Sequence, residues 1–297
     1  MAAQLQLRER ATLLADLRQI VQAMKNLALA ELQRLQHSQP ALAEAQRTLE
    51  AAWGQLAAPP AVAGYPAAPR IWLLIGAERG FCGAFNAHLA EAAETLQATP
   101  GQSVWLAGQR LAEAWRANRP ADAAPAGSTP RVLPGCGALD EAEPVLAAWL
   151  QAATDATAGA AAAPVPSVWL LSTGPAGLRS QRLLPAPGVP QPWDGAVAGD
   201  PPPIQPPPRA AAPRLGLPRP VLMAAVLHQT VRVQLRAALE TSLVQENHAR
   251  LAQMQRAQDH LDELAAELRR RSARLRQADI TNELELLTAA LGPGDAA

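Results

Sequence analysis

Apolar residues at the N-terminus recur with helical period. Leu14, Leu17, Val21, Met24 and Ala28 step by three, four, three and four, which is an a/d seam. Leu13, Ile20 and Leu27 widen that stripe, and the charged residues lie mostly off it. The pattern predicts one long helix from about Gln4 to Leu56, with Pro40 bending or splitting it because proline removes a backbone donor. Leu235, Leu239, Met254, Ala257, Leu261, Leu264, Leu268 and Leu275 keep the same spacing near the C-terminus, predicting a still longer helix over Val221–Leu291. Its seam turns polar around Ser242 to Ala249. Neither helix can bury its stripe alone, so the two are expected to pack as an antiparallel coiled coil that protrudes as a rod.

Between the helices the period changes. Ile71–Ile75, Val104–Ala107 and Val168–Leu171 are short continuous apolar runs, each a buried-strand pattern. Helical stretches lie near Ala84–Gln97, Gln109–Asn118 and Asp140–Ala153. Strands alternating with helices predict a parallel α/β sheet over roughly Arg70 to Pro185. Of the 28 prolines, only Pro40 precedes Pro59, and none falls between Val221 and Leu291. The tracts Pro201–Pro203 and Pro206–Pro208 make 186–220 an extended or disordered linker. The expected division is therefore 1–57 helix, 70–185 α/β domain, 186–220 linker and 221–291 helix.

Composition narrows the chemistry. In 297 residues, Lys+Arg and Asp+Glu are 26 each, so the formal net charge is zero, which disfavours a nucleic-acid binder. Cys82 and Cys136 are the only cysteines, too few for a disulfide framework or a structural zinc site. The opening MAAQLQLRER has no apolar leader region, and no stretch reads as a membrane span. Any membrane association is therefore expected through a partner, without direct insertion.

The turn after the first strand, Gly76 to Asn86, is rich in glycine but carries neither GxGxxG nor GxxxxGK[ST], so tight backbone packing is preferred over a phosphate site. Cys82 at a helix start, with His88 six residues on, could be a nucleophile, but a small buried cysteine is the better reading. Arg269, Arg270, Arg271, Arg274 and Arg276 crowd one stretch of the last helix without aromatics between them, which fits a solvated face or a stripe for an acidic protein surface. The five histidines show no metal-ligand spacing. No active site and no cofactor emerge from the residues themselves.

Three segments together resemble the gamma subunit of F-type ATP synthases. Ile20, Ala23, Met24 and Ala28 fall where that family carries I-T-K-A-M-x-x-V-A. Arg79 and the run Gly80-Phe81-Cys82-Gly83-Ala84-Phe85-Asn86 resemble D-R-G-L-C-G-G-F-N, with Glu78 in place of the aspartate. Arg276-Gln277-Ala278-Asp279-Ile280-Thr281-Asn282-Glu283-Leu284 resembles R-Q-A-x-I-T-x-E-L. Ser242, Leu243, Glu246, Arg250 and Met254 also fall on family positions, and Leu183-Leu184-Pro185 resembles the close of its middle domain. The family is usually basic and has no such proline tract. Those departures, with Gln19 and Gln22 replacing lysines, point to a divergent branch such as the alternative sodium-type F-ATPases.

The resemblance implies a fold of α/β plus all-α class: an antiparallel coiled coil of long N- and C-terminal helices carrying a Rossmann-like α/β middle domain. It implies a non-catalytic central rotor stalk that couples hydrogen-ion or sodium transport to ATP synthesis or hydrolysis. The implied partners are the ATP synthase alpha and beta subunits, an epsilon subunit and the membrane c-ring, at the cytoplasmic face of the bacterial inner membrane. Met24, Arg276, Gln277, Thr281 and Glu283 are implied to touch the catalytic subunits. Arg79, Gly80, Cys82, Gly83 and Asn86 are implied to build the foot-domain turn. Two readings from other classes are a static coiled-coil adaptor and a cysteine-dependent or nucleotide-binding enzyme with helical arms.

Overall fold

The computed structural model describes residues 2–56, 70–118, 129–158, 167–184 and 215–291. Helix α1 spans Ala2–Leu56 and helix α5 spans Arg219–Leu291. Both are dominated by Ala, Leu, Gln, Glu and Arg, the strong helix formers. Splitting at Pro40 does not occur: α1 runs through it without interruption. Pro40 and Gln36 are both exposed, so the Gln36 carbonyl, which loses its i+4 donor, remains open to water.

The chain forms two compact units, one of residues 1–27 with 251–297 and one of residues 28–250. In the first, α1 and α5 run antiparallel. Lys25 Nζ donates to Gln255 Oε1 at 2.6 Å and to Gln258 Oε1 at 3.3 Å, and Arg18 pairs with Asp262 at 3.3 Å. As α1 is followed backwards from 25 to 18, α5 advances from 255 to 262. Leu14, Val21 and Met24 are half-buried and Met254 is buried, as are, partly, Ala257, Leu261, Leu264, Leu268 and Leu275. Leu13, Ile20 and Leu27 do not widen the buried stripe, being 58%, 56% and 59% exposed, and Leu17 of the expected seam itself is 40% exposed. A two-helix contact covers only a narrow seam, so the flanking apolar positions stay outside it.

The second unit is built on a five-stranded sheet of order β3-β2-β1-β4-β5. Its strands are β1 Arg70–Ile75, β2 Gln102–Ala107, β3 Arg131–Leu133, β4 Ser167–Gly174 and β5 Gly177–Leu184. β1 pairs in parallel with β2 and β4, and β2 with β3. The sheet is mixed, however, because β5 pairs antiparallel with β4 across a two-residue turn closed by Gly177 at φ 118°. The all-parallel expectation missed β5 because its sequence, GLRSQRLL, lacks an apolar run. An edge strand that is half-buried has no need of one.

Helices α2 (Phe85–Gln97) and α3 (Gln109–Asn118) cover one face, where Trp72, Leu74, Val104 and Leu106 meet Phe85, Leu89, Leu111 and Trp115. The other face belongs to α4 (Ala142–Ala158), α1 and α5. There Ile71, Leu73, Ile75 and Leu170 share a core with Leu35, Trp149, Leu235, Leu239 and Leu243. β1 is buried on both faces, which is why it reads as a continuous apolar run. The helix ends are tied as well. The Leu56 carbonyl that closes α1 accepts a bond at 2.8 Å from Arg219 Nε at the start of α5, a cation satisfying an open helix C-terminus. The linker expected over 186–220 lies mostly outside the described residues, and α5 begins two residues earlier than Val221.

Candidate functional site

Ligands in open α/β sheets bind outside the carboxyl ends of the strands where the strand order reverses. Here that point lies by β1, whose neighbours are β2 and β4, and the chain itself fills it. Ser242 on α5 donates from Oγ to the Ile75 carbonyl at 3.1 Å, and Leu239 and Leu243 bury beside β1. The Glu78 carboxylate, in the turn after β1, accepts the Gln109 amide at 2.9 Å and the Gly135 amide at 3.1 Å. The N-terminus of α3 and the end of β3 thus already hold an anion, which belongs to the protein. Gly135 has to be glycine for this: a Cβ there would lie 2.5 Å from Glu78 Oε2.

The rest of the turn is held by backbone. Asn86 Oδ1 accepts the Ala77 amide at 3.0 Å, and its Nδ2 reaches Cys82 Sγ at 3.8 Å. A Cβ on Gly76 would sit 2.5 Å from Leu111 Cβ, so α3 approaches the turn as closely as glycine permits. Phe81 adopts φ 63° and Gly83 φ 56°. Phe81 is an L-residue in the left-handed region, a strain of order 1–2 kcal/mol, and it points outward at 64% exposure. The preceding Gly80 carbonyl accepts Arg250 Nε at 3.3 Å. Arg79 reaches the other way, to Glu141 at 2.8 Å.

Arg250 belongs to a buried polar group on α5, at positions that the sequence marks as a polar break around Ser242 to Ala249 and as family positions at Ser242, Glu246 and Arg250. Arg250 donates from Nη1 to Asn247 Oδ1 at 2.9 Å and from Nη2 to the Glu246 carboxylate. Glu246 and Asn247 are each 2% exposed and Arg250 7%. The available signal was an acid–base pair at i,i+4 inside a stretch where polar residues replace the a/d positions. Burial holds the Glu246 carboxyl up, to about 7, against the opposing pull of Arg250 and Arg79.

Cys82 is buried at 5% exposure, and desolvation first, then the nearby Glu246, pushes its thiol upward. A nucleophilic cysteine needs the opposite shift, and His88 is exposed on α2. Cys136 is likewise buried, its thiol pushed up to about 12, chiefly by desolvation. Cys82→Ser is expected to cost about 1–3 kcal/mol of stability, because the buried hydroxyl must find its partners at sulfur-length distances from Asn86 and the Arg79 carbonyl, and to leave the activity that the resemblance implies unchanged. Thermal melts and ATPase assays read the two effects separately. Lost turnover in a normally assembled complex would make Cys82 a working residue.

The other expected site residues lie elsewhere. Met24 is half-buried on α1 in the antiparallel pair. Arg276, Gln277, Thr281 and Glu283 are exposed near the end of α5, where Thr281 Oγ1 turns back onto the Gln277 carbonyl at 3.0 Å. Ile280, Leu284, Leu286 and Leu287 in the same stretch are 52%, 58%, 71% and 59% exposed. No helix among the described residues is long and apolar enough to cross a membrane.

The chain thus carries long helices before and after a sheet domain in sequence, and the strand ends of that domain are plugged by the chain's own side chains. The ATP synthase family model matches residues 4–290, and the chain belongs to that family, in its F1 gamma branch. No curated protein matches it at the sequence level. Among solved structures it is similar to a chain of the Euglena gracilis mitochondrial ATP synthase rotor in rotational state 1. That match has 13% identity and TM-score 0.57, covering 94% of this chain and 99% of the other. A chain of the OSCP/F1/c-ring assembly of the same synthase in rotational state 3 matches with 14% identity and TM-score 0.60, over 98% of this chain and 94% of that one. The protein is a central rotor stalk subunit of an F-type ATP synthase or ATPase.

Proposed function

We propose that this subunit is non-catalytic and couples ion translocation through a membrane c-ring to ATP synthesis or hydrolysis in alpha and beta subunits. The observation that carries this reading is the end of α5. There Ile280, Leu284, Leu286 and Leu287 are more than half exposed along the last turns of the helix. Apolar side chains crowded on such a helix end need a covering surface, and a ring of catalytic subunits closing around the stalk supplies one. The sheet domain, 70–185, serves as the foot that meets the c-ring and an epsilon subunit, with 1–57 and 221–291 as shaft helices and 186–220 as a linker. The subunit is assigned as peripheral, on the cytoplasmic face of a bacterial inner membrane, reached through its partners; no helix among the described residues is long and apolar enough to cross a membrane. The ion, proton or sodium, is selected by the c-ring.

Arg276 and Gln277 are the proposed contacts to the catalytic subunits, with Thr281, Glu283 and Met24 beside them in that role. An exposed guanidinium can form a bidentate bond to a carboxylate on a facing loop, and a rotating stalk makes that bond at only some angles. Arg276→Ala with Gln277→Ala is therefore expected to give a fully assembled complex with reduced ATP turnover and weaker ion pumping. Purification, subunit quantification and paired ATPase and pumping assays test this. Wild-type rates in both assays would leave this end of α5 as a passive bearing.

A further inference from the structure

Two carboxylates are buried where α1, α4 and α5 meet, and each ties one helix to another. Glu240 on α5 is 1% exposed. Its Oε2 accepts Ser38 Oγ of α1 at 2.6 Å, and its Oε1 accepts Arg236 Nε of α5 at 2.8 Å. Ser38 Oγ also lies 2.9 Å from the Leu35 carbonyl, but its one proton goes to the nearer, charged acceptor. Glu31 on α1 is 6% exposed, and its Oε1 accepts the Leu139 amide at 2.5 Å. Leu139 opens the 3₁₀ turn that leads into α4, and the residue before it, Ala138, has no side-chain acceptor to cap that start. On the flank of α4 the Glu143 carboxylate accepts Arg236 Nη1 at 2.6 Å and also Arg232 Nη2, both from α5. Each pair of helices is thus joined by its own polar tie: α1 to α4 through Glu31, α4 to α5 through Glu143, and α5 to α1 through Glu240. All of these residues fall in the compact unit 28–250.

The same three helices share an apolar core, with Leu35 from α1, Val145 and Leu146 from α4, and Leu235 and Leu239 from α5. Hydrophobic contact holds helices together without direction. Burying a carboxylate costs stability that an apolar residue of similar volume does not. What the carboxylates add is direction, because a hydrogen bond weakens steeply as its angle departs from linear. Two ties among three helices leave a hinge, whereas three close a triangle in which no helix turns about its axis while the others stand still. We propose that this triangle is the torque joint of the subunit: it locks α1 and α5 to α4, and through Trp149 and Val145 of α4 to the sheet. Glu31, Glu143 and Glu240 are its positioning residues. The joint rests on the coupling role proposed above, since only a stalk under torque needs its helices to turn with the domain they leave.

The test is single-molecule imaging of the assembled complex, fixed through its catalytic subunits and stalled by withdrawing nucleotide. A bead is attached to the sheet domain through His88→Cys, an exposed position on α2, the native thiols being buried. The readout is the angular variance of the bead. Ser38→Ala with Glu143→Ala opens two sides of the triangle, and with ties of comparable strength sharing the stiffness the variance should rise about twofold over wild type. Val145→Ala thins the same core without cutting a tie, and should keep the wild-type variance although it lowers stability. An unchanged variance in the double variant, or an equal rise in Val145→Ala, overturns the joint and leaves the rotor reading standing. Should the double variant not assemble, Glu143→Ala alone changes only a half-exposed side chain, and a wild-type variance there overturns the joint as well. A wild-type subunit that joins no catalytic ring, or sits in one without rotating, overturns the rotor reading and the joint with it.

Discussion

Replacing Trp149 with alanine should cost about 3–5 kcal/mol and leave the sheet unit loosely packed or unfolded at 37 °C. Trp149 is 1% exposed on α4, in the core that joins α4 and the sheet to Leu35 of α1 and to Leu235 and Leu239 of α5. Its indole Nε1 donates to the Pro134 carbonyl at 2.8 Å, which fixes the chain between β3 and α4. Alanine removes the volume and strands that carbonyl together. Trp149→Phe separates the two, because it restores most of the ring but not the donor. It should cost about 1–3 kcal/mol, the penalty of a buried acceptor without a partner. Thermal or urea unfolding followed by circular dichroism measures both. If alanine cost no more than phenylalanine, the core would be collapsing around the vacancy, and the packing assigned to this helix face would be wrong.

The contrast between β1 and β5 shows what the sequence could reveal of this fold. β1 is covered on both sides, so five of its six residues are buried and apolar, and no other element fits such a run. β5 is covered on one side only and lies at the edge, so Arg179, Ser180, Gln181 and Arg182 are tolerated and no pattern marks it. The helical seam shows the same division. Period alone located Leu14, Val21 and Met24, whose burial follows from a two-helix contact. The width of the stripe depends on what else covers the helix, and so Leu13, Ile20 and Leu27 were assigned to it in error. The split expected as one outcome at Pro40 is absent because the cost of a lost donor depends on whether water can reach the freed carbonyl, which only burial reveals.

The candidate site divides along similar lines. Glycines at 76 and 83 declared a tight turn, the first through the close approach of α3 and the second through its positive φ, and Asn86 accompanied them in the family pattern. What closes the turn came from far along the chain: Glu78 on the amides of Gln109 and Gly135, and Arg250 on the Gly80 carbonyl. Those partners are 31, 57 and 170 positions apart, and periodicity carries no information at such separations. Polar residues at seam positions of a long helix normally mean an exposed break. Ser242, Glu246, Asn247 and Arg250 are instead buried: the sheet domain covers α5 at this level and supplies acceptors to Ser242 and Arg250, while Arg250 donates to Glu246 and Asn247 from the same helix.

Arg250→Ala is expected to destabilise the sheet unit by about 3–5 kcal/mol at pH 8, because it leaves the buried Glu246 carboxylate without its counter-charge. It also removes the donor to Gly80, whose carbonyl adjoins the strained Phe81, so the turn should lose its fixed conformation along with its hold on α5. The loss should be smaller at pH 6. Without the guanidinium the Glu246 carboxyl is pushed higher than its present value of about 7, and a proton then neutralises it in place of Arg250. Arg250→Lys keeps a charge but not the three-way donor geometry, and should fall between wild type and alanine at pH 8. Denaturant unfolding of all three proteins at both pH values measures the pattern. An alanine variant with equal losses at pH 6 and pH 8 would mean that the carboxylate is not the group left uncompensated, and that Arg250 acts only as a tether for the Gly80 carbonyl.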